Sequence, residues 1–320
     1  MRSESSSPRS AQDGPPPGAA PGLPTAPGQP AGASIHNIGY RSYDGARLGR
    51  SYARLSLFAQ SLRGAYGLGR SGKSKVLPMI LFGVMCVPAL IMVAVAIFTD
   101  AKQLPLKYTD YPLYMMPLIG LFIASTAPQL ISRDLRFHTV PLYFSRPIER
   151  ADYVLAKYGA MTGALLVFLG VPLVVLYAGG LLAELGFAEQ TKQFALGLVL
   201  AVVFAVVHAG LGLLVAALTP RRGFGVAAII AVLTIPYFAV TTVQFIAYQQ
   251  NALEAVGWLG LASPGTLMSG LQSKFLDGTS DFPDALVPGD AAGVCYLLVT
   301  AVLIAGSYFL LLRRFRKAGL

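Results

Sequence analysis

Six stretches of this chain run for about twenty residues or more with at most one charged side chain each: about Val76–Phe98, Tyr111–Ile131, Tyr153–Leu182, Gln193–Thr219, Phe224–Ala247 and Ala291–Leu312. At about 1.5 Å of rise per helical residue, each is long enough to cross roughly 30 Å of hydrocarbon. That feature predicts an all-α chain, a polytopic membrane protein with six transmembrane helices. Interior prolines such as Pro88, Pro117, Pro172 and Pro236 are compatible with it, because neighbouring helices satisfy the freed carbonyl groups. Charge is distributed to match. Charged residues make up 12% of the chain, against about 25% in a soluble domain, and they cluster between the apolar runs.

The clusters orient the chain, since cytoplasmic segments carry the excess of Lys and Arg. With the N-terminus inside, 21 of the 25 Lys and Arg residues fall on the cytoplasmic side: those of 1–75, 132–152, 221–222 and 313–320, and Lys157. Lys102, Lys107, Lys192 and Lys274 fall outside. Both termini are therefore expected in the cytoplasm, with the chain multi-pass in the plasma (cytoplasmic) membrane. The net charge of +10 is then an orientation signal, and no nucleic-acid partner is needed to explain it. Leu253–Leu271 is moderately apolar, but a seventh span there would put Arg313–Lys317 outside, and it contains Glu254 and Pro264. Residues 248–290 are too many for a bare loop and are expected to hold short helices at the outer face.

Three regions follow. Residues 1–46 are expected to be a disordered, Pro/Gly/Ala-rich cytoplasmic tail, too poor in apolar side chains to offset the entropy of ordering. Residues 47–75 form an amphipathic interfacial helix and a basic linker. Leu48, Tyr52, Leu55, Ala59 and Leu62 make its apolar stripe, and Arg47, Arg50 and Arg54 another face. This helix is expected to lie on an anionic lipid surface; docking on a partner protein is compatible with that. Residues 76–320 form the membrane domain.

Several chemical signals fail on context. Gly67–Ser74, "GLGRSGKS", fits the phosphate-loop spacing, but such a loop needs a preceding strand in a parallel sheet. Here an amphipathic helix precedes it and an apolar run follows. Asp100 and the Leu267–Gln272 stretch "LMSGLQ" share letters with other ATPase motifs but fall outside the cell in this topology. The three histidines, His36, His138 and His208, form no metalloprotease pattern, and no G-x-S-x-G is present. His208, in the fourth span, is expected to hydrogen-bond between helices. Cys86 and Cys295 sit in apolar runs as small hydrophobes. No metal site is expected. Without intramembrane carboxylates, active transport would draw its energy from another subunit.

The segment between the second and third spans, Gln129–Lys157, carries the most information. Arg133, Asp134, Arg136, Glu149, Arg150 and Asp152 alternate in sign around the apolar Val140–Phe144, followed by Ser145-Arg146-Pro147-Ile148. Proline at 147 stops one helix or starts another. Here the chain resembles the membrane subunits (permeases) of type-2 ABC exporters. Members often show an acidic residue after the second span, then S-x-P-[IL]-x-R-x-x-Y-x-x-x-K into the third. Asp134, then Ser145, Pro147, Ile148, Arg150, Tyr153 and Lys157 stand at those places. The likeness covers about residues 45–317 and departs at Phe137-His138-Thr139, where Gly-Thr is common.

The resemblance implies a membrane-spanning permease subunit of an ATP-driven exporter, forming the substrate path and catalysing nothing itself. A separate cytoplasmic ABC ATPase dimer would dock on the amphipathic helix and on the coupling loop 132–152. The coupling residues would be Arg133, Asp134, Arg136, Ser145, Arg146, Pro147 and Arg150. ATP and Mg would bind the partner ATPase, with no cofactor on this chain. A second permease copy or a related chain completes the complex, in contact with membrane lipids. Charge reversal at Asp134 is expected to spare folding, as at an exposed site. A non-transporting anchor or assembly factor, or a small channel, is the other reading. The substrate is not legible.

Overall fold

The computed structural model describes residues 45, 48–69, 72–137, 139–144, 148–219 and 221–318. The chain divides into two units, 1–46 and 47–320. The expected tail lies outside the described residues apart from Gly45. In the second unit every regular element among the described residues is a helix: α1 Arg50–Ala65, α2 Gly72–Phe98, α3 Tyr111–Tyr114, α4 Met116–Ala127, a π turn Pro128–Ser132, α5 Arg133–Arg136, α6 Val140–Phe144, α7 Arg150–Leu182, α8 Phe187–Leu218, α9 Arg222–Gln249, α10 Leu253–Leu259, α11 Pro264–Phe275 and α12 Asp290–Ala318, with 3-10 turns at Gly260–Ala262 and Pro283–Ala285.

Five of these helices (α2, α7, α8, α9 and α12) are long and apolar enough to cross a membrane. The second apolar run of the sequence is helical but broken, and its prolines explain the breaks. Pro112 and Pro117 each fall in the first turn of a short helix, where a missing N–H costs nothing. Met115 between them leaves the helical conformation, and the π turn opens at Pro128. Pro117 therefore restarts a helix rather than interrupting one. Pro78, Pro88, Pro172 and Pro236 do lie inside long helices.

The α7 helix is 33 residues long, about 50 Å at 1.5 Å per residue. It is the axis of the unit, packed by α8, α1, α2 and α12. Apolar side chains gain little by leaving lipid for protein, so close packing is what holds such helices together. Val93 of α2 sits on Gly179 of α7, where a Cβ would overlap both valine methyl groups. Phe122 stacks on Phe168 with centroids 4.4 Å apart, and Tyr66 and Phe82 extend that cluster. The short helices α10 and α11 close one end. Gln244 Nε2 donates to the Val256 carbonyl at 2.8 Å, and Tyr296 Oη to that of Gly257 at 2.7 Å.

The α1 helix leaves Leu48, Tyr52 and Leu55 of its apolar stripe exposed, the side left for lipid, and buries Leu57, Ser61, Gly64 and Ala65. Phe58 and Leu62 lie over Gly159 and Gly163 of α7, and Tyr66 Oη donates to the Ala164 carbonyl at 2.7 Å. One expectation needs correction: His208 makes no bond to another helix among the described residues. Its Nδ1 lies 3.0 Å from the Phe204 carbonyl in its own helix, and its ring stacks on that of Phe204.

Candidate functional site

The connection from α1 to α2 is the phosphate-loop look-alike. Gly67 has φ +68°, and a Cβ there would strike the Ser74 carbonyl, so the chain turns back on itself between two helices. Lys73 and Ser74 fall in the first turn of α2, with no strand among the described residues. The described residues show a left-handed turn at Gly67 and Gly69 and then the first turn of α2, without the strand that a phosphate loop follows; Arg70 and Ser71 lie outside the described residues.

The N-terminus of α7 organises the region the sequence singles out. Glu149 caps the helix and Asp152 stands at its third position, each side chain accepting from the other's backbone N–H. That reciprocal pair satisfies two orphan donors and places negative charge at the positive end of the helix dipole. The same carboxylates hold α1. Arg50 Nε donates to Asp152 Oδ2 at 2.6 Å, Arg50 Nη1 pairs with Glu149, and Arg54 Nη1 lies 3.7 Å from Asp152 Oδ1. The hydrogen bond to Asp152, then that to Glu149, holds the Arg50 guanidinium above its ordinary range. Arg50 and Arg54, expected to face anionic lipid, thus clamp α1 to α7.

A second cluster ties the coupling loop to the same helix. Asp134 Oδ2 accepts from Tyr153 Oη at 2.6 Å and pairs with Lys157 Nζ at 3.0 Å. The two charged side chains are only 16% and 8% exposed. Tyr153 is buried among the rings of Tyr143, Phe144 and Phe315. Asp134 is therefore an internal carboxylate and not the exposed docking charge the sequence suggests. Ser132 Oγ donates to the Ala216 carbonyl at 2.7 Å and Arg314 Nε to that of Ala217 at 3.3 Å, so the last turn of α8 joins the assembly.

Of the other residues expected to couple, Arg133 and Arg136 are exposed, with Arg136 5.6 Å from the centroid of the Phe137 ring. Arg150 is half-buried, its guanidinium 5.6 Å from the centroid of Phe144. Leu55 is exposed. Arg47, Ser145, Arg146 and Pro147 lie outside the described residues. Glu149, Asp152, Tyr153 and Lys157 belong to the site as much as any of these. Their signals were present: an E-x-x-D capping box, and an acid–tyrosine–lysine set that the fold brings to one point. No group of three or more His, Cys, Asp or Glu among the described residues is placed to hold a metal ion.

Long apolar helices around a central one, with their charges gathered at the ends, define a multi-pass membrane protein. A family model described as "ABC-2 family transporter protein" matches residues 81–320. The chain belongs to that family, and is the permease component of an ABC transporter. Membership implies association with an ABC ATPase; the family is a transport component and not itself catalytic. No curated protein matches the chain.

Proposed function

We propose that this chain is the membrane half of an ATP-driven exporter, coupled at the loop 132–152 and at α1 to a separate cytoplasmic ATPase dimer that binds ATP and Mg. Two ATPases require two docking surfaces, so a second copy or a related permease completes the complex. The observation that carries this reading is the double lock on α7. Arg50 and Arg54 fasten α1 to its first turn, and the Asp134–Tyr153–Lys157 cluster fastens the loop one turn further on. A push on either element is thereby delivered to the helix at the centre of the unit. Arg133, Arg136 and the half-buried Arg150 are the groups an ATPase would meet.

The sidedness of the Lys and Arg residues supports reading this end of α7, and both termini, as cytoplasmic. The broken apolar segment 111–131 serves as the remaining crossing, reaching roughly 30 Å at about 1.5 Å of rise per residue, enough for the hydrocarbon layer. Reversing both Arg133 and Arg136 to Glu tests the coupling face. Like charges brought together across an interface cost several kcal/mol, while two exposed charges add little to folding. The variant should insert and melt as the parent does, yet recover less ATPase in a mild-detergent purification. Undiminished recovery and ATP turnover would move the docking face elsewhere.

A further inference from the structure

An open groove of about 360 Å³ lies between α6, the start of α7 and the last two turns of α12. Phe144, Ile148 and Leu312 make the apolar part of its lining, and Arg150 and Arg316 bring two guanidinium groups to it. Arg150 is half-buried and Arg316 exposed. Among the described residues neither has a carboxylate partner. Glu149, the acid of the lining, is already paired with Arg50. The groove also sits where α12 changes character. Its apolar run ends at Leu312, and the basic cluster 313–317 follows. Leu312 and Arg316 are one turn apart on one face of the helix. Steps of three and four residues back along that face reach Phe309, Ala305 and Val302, all exposed. An apolar stripe about 15 Å long therefore runs into a groove that holds two cations.

We propose that this groove seats one anionic phospholipid of the inner leaflet, its phosphate between Arg150 and Arg316 and an acyl chain along the 302–312 stripe of α12. Guanidinium groups match phosphate oxygens in bidentate pairs. A zwitterionic choline headgroup would bring a third cation beside the two arginines, so an anionic headgroup is preferred. The bound lipid ties the last turn of α12 to the first turn of α7. A guanidinium has five N–H donors and a phosphate takes two, so Arg150 keeps donors for an ATPase. That the leaflet is the inner one rests on the sidedness read above; the binding itself does not.

The purified full-length chain in a mild detergent is titrated with dioctanoyl phosphatidylglycerol, dioctanoyl phosphatidylcholine and inorganic phosphate, and bound ligand is counted by native mass spectrometry. One phosphatidylglycerol per chain should bind about tenfold more tightly than phosphatidylcholine, since each arginine beside an anionic headgroup contributes roughly fivefold. Inorganic phosphate at equal concentration should not displace it, because it lacks the apolar half of the contact. Arg150→Gln with Arg316→Gln should bring the two lipids to equal affinity. Arg313→Gln with Lys317→Gln removes the same charge from the same end of α12 but leaves the groove lining intact, and should keep the preference. Should the first pair fail to fold, Arg316→Gln alone, at an exposed position, should lose roughly fivefold in phosphatidylglycerol affinity. Equal affinities in the parent chain, a preference that survives loss of the groove arginines, or one lost equally with Arg313 and Lys317 would each overturn the proposal. Displacement by inorganic phosphate would overturn it too, leaving a simple anion site. No ATPase takes part, so a failed titration leaves the exporter reading intact, and a failed ATPase recovery leaves the lipid site intact.

Discussion

Removing the Asp134 carboxylate takes away the group 3.0 Å from Lys157 Nζ and the acceptor of the Tyr153 hydroxyl. With side chains 16% and 8% exposed, solvent screens the pair little. Two unit charges at that separation attract by about 5 kcal/mol at an effective dielectric constant of 20, and desolvation offsets part of this. Losing one partner of a buried pair typically destabilises by about 3–5 kcal/mol. Asp134→Ala should therefore lower the melting temperature by roughly 10 °C, at about 2–4 °C per kcal/mol for a chain of this size. Lys157→Met should do the same. The double variant, which leaves no orphaned charge, should recover much of the loss, because apolar replacement of a whole buried pair is often close to neutral. Thermal unfolding of the four proteins in one lipid and at one ionic strength measures the coupling as a double-mutant cycle. Single variants that melt within 2 °C of the parent, or effects that simply add, would refute the internal pair.

Arg50→Ala should free α1 from α7, raising amide hydrogen exchange across residues 50–65 while leaving α8 and α9 unchanged; equal protection in both proteins would make the clamp decorative. Gly179→Val should cost about 1–3 kcal/mol by overpacking against Val93, with Val93→Ala restoring the melting temperature in the double variant. Asp110 lies at the start of α3, accepting from the Thr279 N–H at 2.8 Å and from Gln272 Nε2 at 3.1 Å. Burial pushes its carboxyl above the usual range, against the opposing effects of these hydrogen bonds and of Lys107. The folded form then holds a proton that the unfolded form has already lost. Its contribution to stability is full below the ordinary carboxyl range and falls as pH rises through the shifted value. Melting temperature should decline over that window in the parent and decline less in Asp110→Asn, where Asp281, also raised by burial, remains; a decline of the same size in both would assign the effect to another group.

Hydropathy made the five long helices legible, because a run of apolar side chains is a local property of the chain. The break in the segment 111–136 was also written locally, in Pro112, Pro117 and Pro128, but apolarity masks proline as a start signal. Long-range contacts left weaker traces. The α1 stripe of Leu48, Tyr52 and Leu55 is apolar, yet α1 meets α7 through Phe58 and Leu62, which lie over the small residues Gly159 and Gly163 of α7. Small residues allow close approach without raising hydropathy. Arg50 and Arg54 looked like lipid contacts because their carboxylate partners lie about a hundred positions away. Asp134 looked exposed although its partners, Tyr153 and Lys157, lie in the same segment, because only the turn of the loop back onto α7 brings the three together. The permease motif placed Asp134, Tyr153 and Lys157 at their positions, and the fold shows that they meet.

The most direct test of the account is where the two ends of the α7 assembly lie and what touches the loop end. In a chain with Cys86 and Cys295 changed to Ala, a single cysteine is placed at Phe137, which is 62% exposed, or at Asp277, whose side chain is 53% exposed. Phe137→Cys should resist a membrane-impermeant maleimide in intact cells and cross-link to the co-expressed ATPase. Asp277→Cys should label from outside and form no such cross-link. External labelling at 137, or an ATPase cross-link at 277, would contradict the account.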